Sequence, residues 1–265
     1  MARVVAVANQ KGGVAKTTTV HSLGVALAEA GRKVLLVDLD PQASLTWACG
    51  VDPDALDRSM HEVMLRRSKA GDAVIRLDNG VSLLPSTIDL AGAEMHLLTR
   101  TGREYVLRKA LERIVDDYDR VLIDCPPSLG ILTINGLTAA DEVIIPLQCE
   151  SLGQRGVTQL METIDDVRSY TNRDLVVSGV IATMFDGRTK LAHQVVDEVR
   201  RAHGLEVFDP PVPKSVRAAE APGHGLSVLE HAPRSRPAEA YRELAERIFG
   251  TRKRPAKGKK RKKAS

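Results

Sequence analysis

Two lysines, two glycines and a run of threonines fall within NQKGGVAKTTT, Asn9 to Thr19. A glycine-rich turn between a strand and a helix cradles phosphate when its backbone amides face the anion and a Lys-Thr pair closes it. Gly12 and Gly13 put no Cβ between their amides and a pyrophosphate. Lys16 has the reach for β- and γ-phosphates, and the Thr17 hydroxyl suits Mg²⁺. The general pattern G-x-x-x-x-G-K-[ST] is broken twice, by Gln10 at its first glycine and Ala15 at its last. If the chain needs a positive φ at Ala15, alanine carries strain there; if φ is negative, it is harmless.

Two further stretches carry carboxylates. VLLVDLDPQAS puts Asp38 and Asp40 just past an apolar strand, so both are expected at its C-terminal edge near the loop. A carboxylate there is suited to orient a water or accept its proton. YDRVLIDCPPSLG leads a second apolar strand into Asp124, a hard oxygen ligand suited to a Mg²⁺-bound water. Pro126 and Pro127 stiffen the switch-like segment after that aspartate. Cys125 has no histidine near it in sequence and is read as packing.

These residues need a frame that aligns strand ends. Strand-like runs stand at Val4–Ala8, Val34–Val37, Val81–Leu84, Arg120–Ile123, Glu142–Pro146 and Leu175–Ile181. Helical spacing alternates with them at Thr17–Ala30, Arg103–Val115, Gln159–Ser169, Ala192–His203 and Ala238–Phe249. Strands separated by helices imply parallel pairing through right-handed crossovers. Several strands are apolar throughout, as burial on both faces requires. The expectation is an α/β fold: a doubly wound, mostly parallel sheet of the phosphate-loop NTPase kind, with ligands beyond the carboxyl ends of its strands. One domain is expected over 1–250 and a disordered basic tail over 251–265.

Charge divides the chain the same way. The tail TRKRPAKGKKRKKAS holds nine Lys or Arg and no acid, so removing it from the net +4 leaves −5 for residues 1–250. Such a run does not fold alone; it suits a solubilising end, an anchor to an acidic surface or, the favoured reading, a non-specific nucleic-acid arm. It lacks the apolar stripe of a membrane-surface helix. Three scattered cysteines give no disulfide framework, and seven scattered histidines give no metal set. No apolar run approaches a membrane span, and the N-terminus enters VVAVA too soon for a signal peptide. A reduced cytoplasm is the expected setting.

Lys11, ahead of the two glycines, adds a second cation. Lys-Gly-Gly-x-x-Lys-Thr resembles the deviant Walker A loop of the ParA/MinD branch of P-loop ATPases. The likeness runs from about Arg3 to Phe249 and matches the chromosomal ParA, or Soj, type. It implies ATP and Mg²⁺ as cofactors, with Lys11, Gly12, Gly13, Val14, Ala15, Lys16, Thr17 and Thr18 on the nucleotide. It implies that Lys11 reaches the nucleotide of a second copy in an ATP-sandwich homodimer, a physical equivalent of an arginine finger. Catalysis would rest on Lys11, Lys16 and Asp40, and in the family loss of that aspartate blocks hydrolysis. Thr17 and, through water, Asp124 would hold the metal, and Pro213 in the V-P-K segment would touch the adenine. Arg188 and Arg217, with Lys214 where an arginine is common, would contact DNA without sequence preference.

The function implied is DNA partitioning by a cytoplasmic, nucleoid-associated ATPase. An ATP-bound dimer would hold DNA and be released when a ParB-like centromere-binding partner stimulates slow hydrolysis. The alternatives are a MinD-like ATPase at the membrane, a metal-cluster ATPase and a binding module that has lost catalysis through Ala15. The tail speaks against the first; for the second, Cys125 and Cys149 flank the expected switch region, but the family match explains both without a cluster.

Overall fold

The computed structural model describes residues 2–149 and 153–250. The basic run 251–265 and residues 150–152 lie outside the described residues. Eight strands form one sheet: β1 (Arg3–Val7), β2 (Val34–Asp38), β3 (Ile75–Arg76), β4 (Ser82–Leu84), β5 (Arg120–Asp124), β6 (Glu142–Gln148), β7 (Val176–Thr183) and β8 (Val207–Phe208). Their spatial order is β3-β4-β2-β5-β1-β6-β7-β8. Every neighbouring pair is parallel except β3 with β4. The mostly parallel sheet is therefore as expected. β3 and β8 went unread because two residues are too short to establish a period.

Two apolar layers clothe the sheet. Val4 and Ala6 of β1, with Leu35 and Val37 of β2, face the helices between Met60 and His203. Val5, Val7, Val34 and Leu36 face the other way, onto Lys16–Glu29 and Arg236–Phe249. The period of two along each strand sends neighbours to opposite faces, and both faces are covered. Gly24 lets the helix Lys16–Glu29 lie close on the sheet, since a Cβ there would meet Leu36 Cδ2 at 2.6 Å. The last helix is tied to the same element by Tyr241 Oη and Thr19 Oγ1, 3.1 Å apart and buried.

One expected helix is broken. Arg103–Val115 forms a 3₁₀ turn at Arg103–Tyr105, an α-helix at Val106–Leu111 and a second 3₁₀ turn at Val115–Asp117. A continuous helix would bond Leu107 N–H to Arg103 C=O. The side chain of Asn135 intercepts both: Leu107 N–H donates to Asn135 Oδ1 at 3.1 Å, and Asn135 Nδ2 donates to Arg103 O at 2.8 Å. No helix among the described residues is long and apolar enough to cross a membrane.

Candidate nucleotide and metal site

Three strand ends converge. Val7 of β1 and Asp38 of β2 both sit in register with Asp124, the last residue of β5. The glycine-rich loop follows β1, and the Asp40 segment follows β2. Residues far apart in sequence thus meet at one carboxyl edge, where ligands of open α/β sheets bind.

The loop turns through left-handed backbone at Gly13 (φ 73°) and again at Ala15 (φ 65°, ψ 34°). The strained alternative left open for Ala15 is therefore the one adopted. Ala15 C=O accepts from Thr19 N–H at 2.9 Å, which starts the helix. Thr183 Oγ1 at the end of β7 donates to Val14 O at 3.0 Å and pins the loop from the side. Lys16 curls back, its Nζ donating to Lys11 O at 3.3 Å.

Thr17 Oγ1 donates to Asp124 Oδ2 at 2.7 Å. The other oxygen, Asp124 Oδ1, is buried with no hydrogen-bond partner. Burial raises the Asp124 carboxyl well above its usual range, the Asp38 charge adds to that, and Thr17 and Lys16 oppose it. Burial likewise lowers the Lys16 ammonium, against the pull of Asp124 and Asp40. An orphaned carboxylate oxygen beside a hydroxyl is a hard oxygen donor pair. The residues fit Mg²⁺, which keeps several waters and takes few protein ligands.

Asp38 departs from expectation. It is fully buried and does not open toward the loop. Its carboxylate accepts from Asp40 N–H (3.1 Å), Thr46 N–H (2.8 Å) and Thr46 Oγ1 (2.7 Å). Burial raises its pKa to about 6 against those bonds. Asp38 shapes the loop, whereas Asp40, itself nearly buried, projects its charge onto Lys16 and Asp124. The turn after Asp40 holds a second left-handed alanine, Ala43 (φ 52°). Non-glycine residues in this region store strain, and here two of them flank one site.

Lys11 Nζ donates to Gln148 Oε1 at 3.1 Å within the same chain. Asn9 braces this arm: its Oδ1 accepts from Lys11 N–H at 3.0 Å and its Nδ2 donates to Pro146 O at 2.7 Å. Gly156 packs against it, where a Cβ would fall 2.7 Å from Asn9 Oδ1. Sequence reading missed Asn9, Gln148, Gly156 and Thr183. Only Asn9, adjoining the loop, carried any local signal. Cys125 packs as expected: it is buried, and burial pushes its thiol up.

Three of the residues expected at the adenine and at DNA fall together. Pro213, Lys214 and Arg188 line one cavity of about 760 Å³ with Phe185 and Arg236. Phe185 N–H donates to Val212 O at 3.0 Å, carrying the cavity wall on from β7. Arg188 is exposed and holds Asp186 bidentately, both bonds at 2.9 Å. Those bonds lower the Asp186 carboxyl to about 2. Arg217 lies apart, lining a shallower depression with Arg234. Gly12 and Thr18 stand in the loop and the first helical turn, as their spacing requires.

A family described as an AAA domain matches residues 2–177. The sporulation initiation inhibitor protein Soj of Bacillus subtilis is 42% identical over 250 residues, covering 94% of this chain and 98% of that protein. This chain belongs to the Soj/ParA family. The chromosome partitioning protein ParA of Caulobacter vibrioides is 43% identical, with 93% and 94% covered. A solved Mycobacterium smegmatis structure named cobyrinic acid a,c-diamide synthase is 52% identical, with 93% of each chain covered and a TM-score of 0.84. That protein holds ADP and magnesium, and in a second structure an ATP analogue and magnesium. Family membership and the strand-end geometry agree on a Soj/ParA nucleotide site.

Proposed function

We propose that this chain is an ATP-hydrolysing DNA-partitioning protein. The observation that carries it is the meeting of loop, Thr17–Asp124 pair and Asp40 at one sheet edge, in a chain similar to Soj and ParA along nearly its whole length. ATP would lie along the loop amides from Lys11 to Thr18, with Lys16 on the β- and γ-phosphates. Thr17 would hold Mg²⁺ directly and Asp124 through a water; the ion, when bound, offsets phosphate charge. Asp40 orients the attacking water and takes its proton. Pro213 bounds the base. Lys11 would leave Gln148 to reach the nucleotide of a second copy as the two close face to face.

The closed dimer would bind DNA non-specifically through Arg188, Lys214, Arg217 and the basic tail, in the cytoplasm on the nucleoid. A ParB-like partner would speed hydrolysis and release. Such a cycle requires DNA affinity to differ between nucleotide states. DNA binding measured with ATP, with ADP and with no nucleotide, across a range of salt, tests it. Tight binding with ATP alone is expected; equal affinity in all three states would remove the switch.

The name of the Mycobacterium smegmatis structure supports a second reading, an ATP-driven amide synthase. Drawing ammonia from glutamine requires an activated thiol. Cys125 and Cys149 are buried, Cys49 is largely so, and burial pushes all three thiols up. That is the reverse of a poised nucleophile. ATP turnover that needs neither glutamine nor ammonia separates the two readings.

A further inference from the structure

Away from the nucleotide, a groove of about 550 Å³ is lined by Arg58, Arg66, Arg67, Lys69, Lys109 and Arg113, and by one acid, Asp72. All six cations are exposed. Among the described residues none of their side chains has an ion pair or a hydrogen bond. Elsewhere the arginines are commonly paired, as Arg3 is with Glu142 and Arg242 with Glu29. Glu62, on the helix Met60–Met64, is already engaged, accepting from Ser59 N–H at 2.8 Å and Ser59 Oγ at 2.9 Å.

The backbone builds this crowding. Arg66 takes a left-handed turn (φ 59°) after the helix Met60–Met64, and Arg67 N–H folds back onto Glu62 O at 2.8 Å. Arg66, Arg67 and Lys69 therefore share one tight connection, facing Lys109 and Arg113 from the neighbouring helix and its exit. Six like charges gathered on a body of net −5 make a local positive field that a polyanion relieves.

We propose that this groove is a second contact surface for the phosphodiester backbone of duplex DNA. It rests on the reading of the chain as a DNA-binding ATPase and adds a surface to it. The guanidinium groups suit phosphate oxygens. The lining holds no aromatic side chain, the usual anchor of a protein partner. The groove hangs beside β4, where Met60 N–H donates to Pro85 O at 2.7 Å. Arg188 and Lys214 lie past β7, five strand spacings away, or roughly 25 Å at ~4.8 Å per strand. One protomer thus offers phosphate-binding cations on two flanks.

The test compares the full-length chain with its Arg67→Gln/Lys109→Gln/Arg113→Gln variant on a random-sequence duplex with ATP, over a salt series. The triple variant should bind about tenfold more weakly or worse, and its log K against log salt slope should flatten by ~0.9 for each phosphate it no longer neutralises. Asp72→Asn should tighten binding. Basal ATP turnover without DNA should be unchanged, which reports an intact fold. Should the triple variant lose that turnover, Lys109→Gln alone serves, with a slope change of ~0.9 expected. Unchanged affinity and slope, while Arg188→Gln/Arg217→Gln loses binding, would overturn the groove and leave the partitioning reading standing. No DNA binding by the parent chain with ATP would overturn both. Retained DNA affinity with lost binding of poly-glutamate would give the groove to an acidic protein instead.

Discussion

The Thr17 hydroxyl donates to the Asp124 carboxylate at 2.7 Å, although 107 positions separate them in the chain. That bond joins the start of the loop helix to the end of β5 and leaves Asp124 Oδ1 orphaned. The pair is the proposed seat of the metal, so removing either member should act on Mg²⁺-dependent binding first. Thr17→Ala and Asp124→Asn should each weaken nucleotide affinity by about 10–100-fold in Mg²⁺, with Thr17→Ser close to the parent. Titration with a fluorescent ATP analogue, with and without Mg²⁺, reads this directly. Equal losses in both conditions would assign the pair a purely structural role.

Asp40 and Asp38 should separate by assay. Asp40→Ala should leave ATP affinity near the parent value and lower turnover by about 10²-fold or more. Asp38→Ala removes the acceptor of three buried hydrogen bonds. Its first effect should be on thermal stability, by several kcal/mol. Single-turnover phosphate release and thermal melts on both variants check the division.

Ala15 sits in left-handed backbone at φ 65°. That conformation costs a non-glycine residue about 1–2 kcal/mol, while glycine gives back about 0.5–1 kcal/mol in the unfolded chain. Ala15→Gly should therefore stabilise the protein by up to about 1 kcal/mol, seen as a higher urea midpoint at unchanged m. A lower midpoint would mean that the alanine methyl packs usefully in the loop.

His21 is buried on the loop helix, its Nε2 lacks a partner, and burial holds its pKa down at about 4. A histidine depressed in the fold favours the native state above its unfolded value near 6.5. That advantage is lost as pH falls toward 4. Its size is on the order of 3 kcal/mol. Asp38, raised to about 6, works in the opposite direction, favouring the fold at low pH and losing that as pH rises through 6. Comparing His21→Leu with the parent isolates the histidine: the variant should lose less stability between pH 6.5 and 4. Parallel curves would show that His21 is already solvated.

Local pattern carried much of the fold. Apolar runs bounded by polar turns marked six strands because burial on both faces demands such runs. It failed at Arg103–Val115, where Asn135, distant in sequence, takes the helix's own donor and acceptor. It also failed to separate Asp38 from Asp40, which look alike in D-x-D. Whether a carboxylate points into the core or toward the loop depends on Thr46 and on the strand beside it.

By itself the sequence determined the loop chemistry, the order of six of the eight strands, and the charge division at Gly250. Each of these is written in neighbouring residues, through backbone freedom, hydrophobic period and side-chain type. Only the tertiary structure decided that β5 inserts between β2 and β1, which sets Asp124 against Thr17 and in register with Asp38. Strand order in a parallel sheet is fixed by crossovers and core packing over the whole chain. The grouping of six cations from two separate segments into one groove was settled the same way, because no local pattern specifies which loops meet.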